Sequence, residues 1–264
     1  MSVHGTVLTV SNNPSAPAQY NTVSAAIAAA NVGDTLYLLG SNTSYGDFTI
    51  PKRLTVIGAG YDVVGTDYNL STQVGYVTLD STLSGPIDGV TLLGLSMYGI
   101  SSASGDLGYI DNVTVKRCRI GGYVYVSGSN WSIVNNIINN VTIYIGNFTN
   151  LFVANNVFYQ GSFYNSNQAS VYIINNLFLY YNSSYLFQTV SNANIYNNIF
   201  YANSVTVYNS VNNVFNNNLS YNTSNYTLPP AGNSGTGNIQ QTDPQFVSQS
   251  SIPAPVLVLL LLII

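Results

Sequence analysis

The feature that most constrains the fold of this chain is a repeated Asn-Asn pair followed by apolar and aromatic residues. The second Asn of each pair lies 20, 20, 22 and 15 residues after the previous one, at Asn136, Asn156, Asn176, Asn198 and Asn213. Cys118 occupies the same column 18 residues before Asn136. A period near 20 residues is typical of a solenoid in which each repeat forms one coil. The short last step predicts either irregular final coils or a shift of the alignment there.

Each repeat also contains an alternating apolar pattern. Residues such as Val171 and Ile173 alternate with polar or aromatic residues, which predicts a strand with one buried face. An apolar residue follows each column residue by two positions, and we expect these side chains to form one interior column: Ile120, Ile138, Phe158, Phe178, Phe200 and Phe215.

The paired Asn residues suit two different tasks in such a coil. Asn tolerates the left-handed backbone region needed at a sharp bend. Stacked inward amides, about 4.8 Å apart, form hydrogen-bonded ladders between parallel strands. We predict that one Asn makes the bend and the other the ladder. The second is favoured for the ladder, because Lys116 and Arg117 precede Cys118 and suit the outside.

The N-terminal segment has a different pattern. Thr6–Val10 is predicted to form a strand, and Asn21 or Thr22 could cap a helix over Val23–Ala30. This helix is expected to cover the open end of the solenoid, although a surface helix elsewhere would fit the same pattern. The predicted organisation is an N-terminal strand and capping helix (1–33), a parallel β-helix (34–247) whose repeats give way to a polar loop over 222–241, and a Pro-containing apolar tail (248–264).

Composition excludes some classes of function. Charged residues make up 5% of the chain, but hydrophobic residues reach 46% and there are 22 Tyr, so the chain is not of the disordered class. The basic residues cluster only at Lys52-Arg53 and over residues 116–119. That is too little to replace the counterions of a nucleic acid, so we predict no nucleic-acid partner.

Acidic residues offer one candidate site. Asp88 and Asp111 are 23 residues apart in the same phase, with Asp106 between them and Lys116 and Arg119 following. Stacked on adjacent coils, they could hold Ca²⁺ or a uronate, or act in catalysis. The alternative is a solvated charge cluster. The acid-free stretch from Asn112 to Thr242 lacks the further carboxylates that a glycoside hydrolase uses, and no other cofactor is predicted.

Other residues have weaker functional interpretations. His4 is the only His and Cys118 the only Cys; we expect Cys118 to fill an interior position rather than act as a nucleophile. Trp131 and the Tyr residues could stack on sugars or simply serve as strand residues. Sequons make four positions glycosylation candidates in an extracellular or cell-surface protein: Asn140, Asn147, Asn182 and Asn222.

The apolar segment Val256–Ile264 is a candidate for self-association. Nine residues are too few to span a bilayer as a helix, which takes roughly 20. Three alternatives remain: a joining strand inserted into a partner, a cap folded back on the same chain, and a cut-off membrane anchor. The first two are favoured.

Several of these segments resemble a known group of proteins. The opening TVLTVSNNPSAPAQYNTVSAAIAAANVGDTLYLLGS, the segment VTVKRCRI, the repeated NN-[IVL]-F coils and the late GTGNIQQTDPQF are similar to secreted right-handed parallel β-helix repeat proteins of the pectin-lyase-like superfamily, over residues 5 to 247. The resemblance implies an all-β, right-handed parallel β-helix. It implies less about activity, because the superfamily includes pectate lyases, polygalacturonases, phage depolymerases and adhesins.

Taken together, the sequence predicts a non-catalytic extracellular structural or adhesive protein, with surface or filament subunits as examples. A carbohydrate-active enzyme, either a polysaccharide lyase or a glycoside hydrolase, or a glycan-binding module is the alternative. A map of carboxylates on the coil surface would discriminate these functions, since an enzyme needs several within about 10 Å of one another.

Overall fold

The computed structural model describes residues 5–61, 70–83, 87–102, 110–146, 150–166, 170–179, 185–201, 206–221 and 227–245. Within them the chain is an all-β solenoid of parallel strands with one short helix, so the predicted fold class is confirmed. Several predicted features lie outside the described residues: His4, Asp106, Asn147, Asn182, Asn222 and the tail 248–264.

The strands form three parallel sheets, A, B and C, and from β6 to β25 successive coils run from sheet A to sheet C to sheet B. Among the described residues, the coils before β6 contribute strands to sheets A and B only. Sheet A contains β1 (Val7–Val10), β2 (Thr35–Leu38), β4 (Thr55–Gly58), β6 (Thr91–Leu93), β9 (Thr114–Lys116), β12 (Ser132–Val134), β15 (Leu151–Ala154), β18 (Val171–Ile174), β21 (Asn194–Tyr196) and β24 (Val214–Asn216). Sheet B contains β3 (Phe48–Ile50), β5 (Tyr76–Leu79), β8 (Gly99–Ser102), β11 (Tyr123–Val126), β14 (Thr142–Ile145), β17 (Ser162–Ser166), β20 (Phe187–Val190) and β23 (Val207–Tyr208). Sheet C contains β7 (Ser96–Met97), β10 (Arg119–Ile120), β13 (Ile137–Asn139), β16 (Val157–Tyr159), β19 (Leu177–Leu179), β22 (Ile199–Tyr201), β25 (Leu219–Tyr221) and β26 (Ile239–Gln240).

The core is built from columns of like side chains in register. In sheet C, Ile120 pairs with Ile138, which pairs with Phe158 on the next strand. The ring of Phe158 stacks on Phe178 at 4.7 Å between centroids, and Phe178 stacks on Phe200 at 5.0 Å. These side chains are fully buried. The predicted interior column therefore exists from Ile120 to Phe200.

The helix α1 (Val23–Ala29) lies at the N-terminal end of the solenoid, where the sequence predicts it. Thr22 caps it by accepting a hydrogen bond from the N–H of Ala25 at 3.2 Å. Its buried face packs against β1, β2 and β3, the first strands of sheets A and B. β1 pairs with β2 in sheet A, so this strand is part of the same sheet as the later coils.

The two members of each Asn pair divide the tasks as the sequence predicts. The first Asn is exposed and has a positive φ, for example 56° at Asn155 and 55° at Asn175, and makes the bend between sheets A and C. The second is buried and forms the ladder. The Nδ2 of Asn156 donates to Oδ1 of Asn176 at 3.0 Å, and the N–H of Asn156 donates to the same oxygen at 2.9 Å.

The amide ladder runs through Asn136, Asn156, Asn176 and Asn198, but Asn213 belongs to a different column. Asn198 bonds instead to Asn218, one full coil further on, at 3.0 Å. Asn213 lies at the bend between sheets B and A, where its Oδ1 accepts the N–H of Ala193 at 2.8 Å. The repeat alignment of the sequence is one bend out of step here, because this coil has two Asn-Asn pairs. Asn213 ends the pair at the bend between sheets B and A, and Asn218 ends the pair five residues later, at the bend between sheets A and C.

Two further expectations are corrected by the same register. Phe215 pairs with Ile195 in sheet A, so the sheet C column continues from Phe200 to Ser220 instead. Part of the predicted polar loop at 222–241 forms another coil, because Asn238 extends the ladder from Asn218 and β26 pairs with β25. The sequence predicts a loop here because the segment is polar, but the ladder and bend residues of a coil are themselves polar.

Candidate functional site

The acidic pair Asp88 and Asp111 lies on adjacent coils, as their shared phase predicts. The N–H of Asp111 donates to Oδ1 of Asp88 at 2.9 Å, and the N–H of Ser129 donates to Oδ1 of Asp111 at 2.6 Å. Each carboxylate thus joins its coil to the next one through the backbone. This geometry gives the two Asp residues a structural task at the bend that precedes sheet A.

The basic candidates are separated by a bend. Lys116 is the last residue of β9 in sheet A, whereas Arg119 is the first residue of β10 in sheet C. Arg117 lies between them with φ 52°, the position that Asn occupies in later coils. Asp111 lies before β9 and Lys116 at its far end. The fold therefore does not gather these four candidates on one face.

The described part of the chain contains no group of three or more His, Cys, Asp or Glu that could hold a metal ion. Asp88 and Asp111 alone supply two carboxylates, and both accept backbone N–H groups. The third Ca²⁺ candidate, Asp106, lies outside the described residues. A Ca²⁺ site that includes it stays a sequence prediction.

Cys118 occupies the first position of the ladder column. Its N–H donates to Oδ1 of Asn136 at 2.8 Å, and its thiol lies 3.3 Å from the carbonyl oxygen of Lys116. Burial raises the pKa of this thiol to about 12. A thiol with so high a pKa is not a nucleophile at neutral pH, so the side chain acts as a small apolar filler.

The outer face of sheet B carries the most distinctive surface of the molecule, a continuous set of Tyr rings that we call the tyrosine stripe. Its members are Tyr76, Tyr98, Tyr123, Tyr125, Tyr144 and Tyr164. They lie on or beside five neighbouring strands, from β5 to β17. At one strand spacing per step, the stripe is about 19 Å long.

At the N-terminal end of the stripe, three rings meet around two glycines. Tyr76 contacts Tyr98 at 4.7 Å and Tyr123 at 5.0 Å between ring centroids. A Cβ atom at Gly99 would lie 3.2 Å from the ring of Tyr76, and one at Gly122 would lie 2.7 Å from the ring of Tyr98. The same Cβ atoms would lie closer still to the backbone carbonyl oxygens of Tyr123 and Tyr98, respectively. The glycines therefore allow both the neighbouring backbone and the rings to lie this close.

Further along, the rings follow the strand register. Tyr125 pairs with Tyr144, which pairs with Tyr164. The rings of Tyr125 and Tyr144 stack at 4.5 Å with an interplanar angle of 14°, and Tyr144 and Tyr164 meet edge to face at 5.6 Å. Tyr125 and Tyr164 are 40% and 37% exposed. Stacked rings hold one another in fixed positions, so the surface is preorganised.

The outward side chains of the sheet B strands are uncharged. Between the Tyr rings stand Thr78, Ser101, Thr142 and Ser162, all partly exposed. Asp47 lies at the edge of the stripe, where its Oδ1 accepts the N–H of Tyr76 at 2.8 Å. The face thus presents aromatic carbon and hydroxyl groups with almost no charge.

The surroundings of the tyrosine stripe change the ionisation of two of its rings. The pKa of Tyr76 is raised above its usual value, mainly by desolvation and then by interactions with Tyr123 and Tyr98. A raised pKa keeps this phenol protonated, and so able to donate a hydrogen bond, even in alkaline solution. The pKa of Tyr125 is raised for the same first reason.

Sequence reasoning named Tyr residues as sugar-stacking candidates but did not find the stripe. The Tyr residues of this chain are distributed over all three sheets, and the residue alternation alone does not say which outward positions share a face. The register of β11, β14 and β17 supplies that information. The signal that could have found it is the recurrence of Tyr125, Tyr144 and Tyr164 at steps close to one coil.

Of the four glycosylation candidates, Asn140 is the one that the structure describes. It is exposed at a bend between sheets C and B, with φ 54°. In the described ranges, no helix is sufficiently long and apolar to cross a membrane. Comparison with known proteins gave no match to a family model, to a curated protein or to a solved structure.

Proposed function

We propose that this protein is a non-catalytic extracellular structural or adhesive solenoid that binds neutral glycans through the tyrosine stripe. The sequence motifs support a place among the secreted β-helix repeat proteins of the pectin-lyase-like superfamily, and the parallel solenoid is compatible with it. The observation that carries the proposal is the stripe itself, an exposed, preorganised and nearly uncharged row of rings and hydroxyls.

The chemistry of the stripe fits a neutral sugar polymer. Sugar rings present C–H groups that pack on aromatic carbon, together with hydroxyls that exchange hydrogen bonds with Tyr, Thr and Ser. Tyr supplies both an apolar body and a polar hydroxyl. Because the stripe crosses several strands, a polymer lying along the solenoid axis would contact several rings at once. An acidic polymer would instead require clustered cations, and the stripe contains none among its own residues.

Direct binding to immobilised neutral polysaccharides tests this function. We expect Tyr125→Ala and Tyr144→Ala each to weaken binding by at least about fivefold, since loss of an aromatic anchor at an interface costs more than about 1 kcal/mol. Tyr172→Ala is the matched control, because Tyr172 is a partly exposed strand residue on sheet A. Equal losses in all three variants, or no binding by the unsubstituted protein to any neutral polysaccharide, would contradict the proposal.

The enzymatic alternative has a separate test at Asp111. Asp111→Asn keeps an oxygen that can accept the Ser129 N–H, whereas Asp111→Ala removes it. If the residue is structural, the Asn variant should melt like the unsubstituted protein, and the Ala variant should lose about 0.5–1.5 kcal/mol of stability. We expect no turnover of pectin-like polymers by any of the three. Turnover that disappears in Asp111→Asn would establish catalysis instead.

An extracellular location and assembly through the apolar tail complete the proposal. The exposed sequon at Asn140 supports secretion, and Val256–Ile264 supports self-association. A membrane association applies only if that tail is part of an anchor. Mass spectrometry of the protein from its native source would test the first point, since a glycan at Asn140 requires passage through a secretory route.

A further inference from the structure

The outer face of sheet C carries a second uninterrupted stripe, which consists of aliphatic residues. Six of them occupy equivalent positions on the consecutive strands β13, β16, β19, β22, β25 and β26: Ile137, Val157, Leu177, Ile199, Leu219 and Ile239. We call this set the aliphatic stripe. It alternates with the fully buried core residues, such as Phe178 and Phe200, and so faces away from the core. Five of its members are partly or fully exposed, whereas Val157 is buried.

Three of the six strands beneath the aliphatic stripe are apolar or aromatic on both faces. β16 reads Val-Phe-Tyr, β19 reads Leu-Phe-Leu and β22 reads Ile-Phe-Tyr. Parallel strands that are covered on both sides show such continuous apolar runs. In strands with one solvent-exposed face, apolar and polar residues alternate instead. The strands of sheet B do alternate, with Tyr, Thr and Ser outside. The middle of sheet C, from β16 to β22, therefore has the composition of a sheet with a covering layer.

The size of the aliphatic stripe limits what can cover it. Six strands span about 24 Å along the solenoid, and strands of three residues are about 10 Å wide. That gives roughly 250 Å², well below the roughly 800 Å² per partner of a stable protein–protein interface. A second folded copy would gain too little from this surface alone. A single chain segment, in contrast, fits its width.

One segment of this chain matches the stripe in chemistry and length. Residues 246–264 contain no charged residue and include Val256–Ile264, nine consecutive aliphatic residues. Extended, these nine would reach about 30 Å. They follow β26, the last strand of sheet C, and the 15 residues between Gln240 and Val256 could span up to about 50 Å. The segment can therefore reach any point of the stripe.

We propose that the aliphatic stripe on sheet C is the docking site of Val256–Ile264. Docking removes both apolar surfaces from water together, which neither achieves alone. This inference does not depend on the glycan-binding function, because it concerns a different sheet and different residues.

Disulfide trapping in the full chain tests the proposal directly. Ile199→Cys combined with Leu260→Cys places one thiol on the stripe and one in the tail. The matched control combines Ile174→Cys, on the outer face of sheet A, with Leu260→Cys. We expect mild oxidation to cross-link the first pair at least tenfold faster than the second. A cross-link between two molecules would assign the docked tail to a neighbour and would also support the site. Equal rates for the two pairs would overturn the proposal.

A substitution cycle provides a second measurement that does not depend on trapping. Leu177→Asp places a charge on the stripe, and Leu259→Asp with Leu261→Asp places charges in the tail. Each should lower the melting temperature by several degrees and increase binding of an apolar dye. When the stripe and tail substitutions are combined, the melting temperature should fall no further than in the more destabilised of the two separate variants, because both sets of substitutions remove the same contact. Fully additive losses, or a dimer that Leu177→Asp dissociates while the tail variant does not, would refute tail docking.

Discussion

At the scale of single residues, an amide in the middle of the Asn ladder uses its whole hydrogen-bonding capacity, as Asn156 shows. The Oδ1 of Asn156 accepts from both the N–H and the Nδ2 of Asn136, at 2.8 and 3.0 Å. Its Nδ2 donates to the carbonyl of Ile133 and to Oδ1 of Asn176, at 2.8 and 3.0 Å. A primary amide has two acceptor sites and two donors, so nothing in this side chain is left unpaired in the buried bend. No apolar residue could satisfy these groups.

These hydrogen bonds predict the effect of removing one ladder amide. Asn176→Leu leaves the buried N–H of Asn156 without an acceptor and leaves its Nδ2 with the carbonyl of Ile133 as its one partner, and should cost about 1–3 kcal/mol of unfolding free energy. Asn175→Gly is the matched control, because Asn175 is exposed at φ 55° and glycine adopts that conformation readily. Denaturant titration measures both. Equal costs would show that the bend, and not the ladder, determines stability here.

The ladder positions could be predicted from the sequence because the spacing of the Asn pairs is almost constant from Asn136 to Asn198. The last coils could not be assigned, since Asn213 and Asn218 both end an Asn-Asn pair and either fits the pattern. The hydrogen bonds of the folded chain decide between them. The Oδ1 of Asn218 accepts from Nδ2 of Asn198, whereas the Oδ1 of Asn213 accepts from the N–H of Ala193. A periodic sequence fixes the repeat but not which bend of the coil a residue occupies.

At the scale of secondary structure elements, the helix α1 stabilises the first coil in the way that a neighbouring coil stabilises each later coil. Parallel coils stabilise one another only through contacts with the next coil, so the first coil lacks support on one side. α1 supplies it by burying Val23, Ala26 and Ile27 against β1, β2 and β3. The amphipathic pattern identified this helix in the sequence because seven residues are enough to show one apolar face.

Loosening the helix should therefore affect the solenoid locally. Ile27→Ser removes buried apolar surface from α1, and we expect amide hydrogen exchange in β1 and β2 to accelerate by at least about tenfold. Exchange in β18, far along the solenoid, should not change, because repeat arrays fray from an end. Ser24→Ala, at an exposed position of the same helix, is the matched control and should leave exchange in β1 and β2 unchanged. Uniform acceleration in all strands would show global rather than local unfolding.

The faces of the sheets were the least predictable property at this scale. Alternation separates inward from outward residues, but it does not say which outward residues become neighbours. Tyr76 and Tyr123 touch across Gly99 although they lie two strands apart in sheet B. That contact depends on the absence of a side chain at Gly99. A search of the sequence for aromatic residues alone does not reveal this dependence on a glycine.

At the scale of the whole molecule, charge is absent from one long part of the chain. Residues 120–242 contain no Asp, Glu, Lys or Arg, and the strands β11, β14 and β17 of the tyrosine stripe fall within this range. The cationic residues Lys116 and Arg119 come before it, on sheets A and C. A ligand on the stripe and a ligand held by the cations would therefore experience very different electrostatic fields.

Ionic strength distinguishes these two ligand classes. If a neutral glycan binds the tyrosine stripe, raising NaCl from about 0.05 M to about 1 M should change the dissociation constant less than about twofold, since that increase screens only interactions between charges. Lys116→Gln should likewise leave binding unchanged, whereas Tyr144→Ala weakens it. An acidic glycan held by Lys116 and Arg119 would behave in the opposite way, with affinity that falls steeply as salt rises and falls again in Lys116→Gln. Titration calorimetry with one neutral and one uronate-containing polysaccharide, at both salt concentrations, measures all of these effects. A steep salt dependence for the neutral polymer would contradict binding at the stripe, because a neutral polymer carries no charge whose interactions salt could screen.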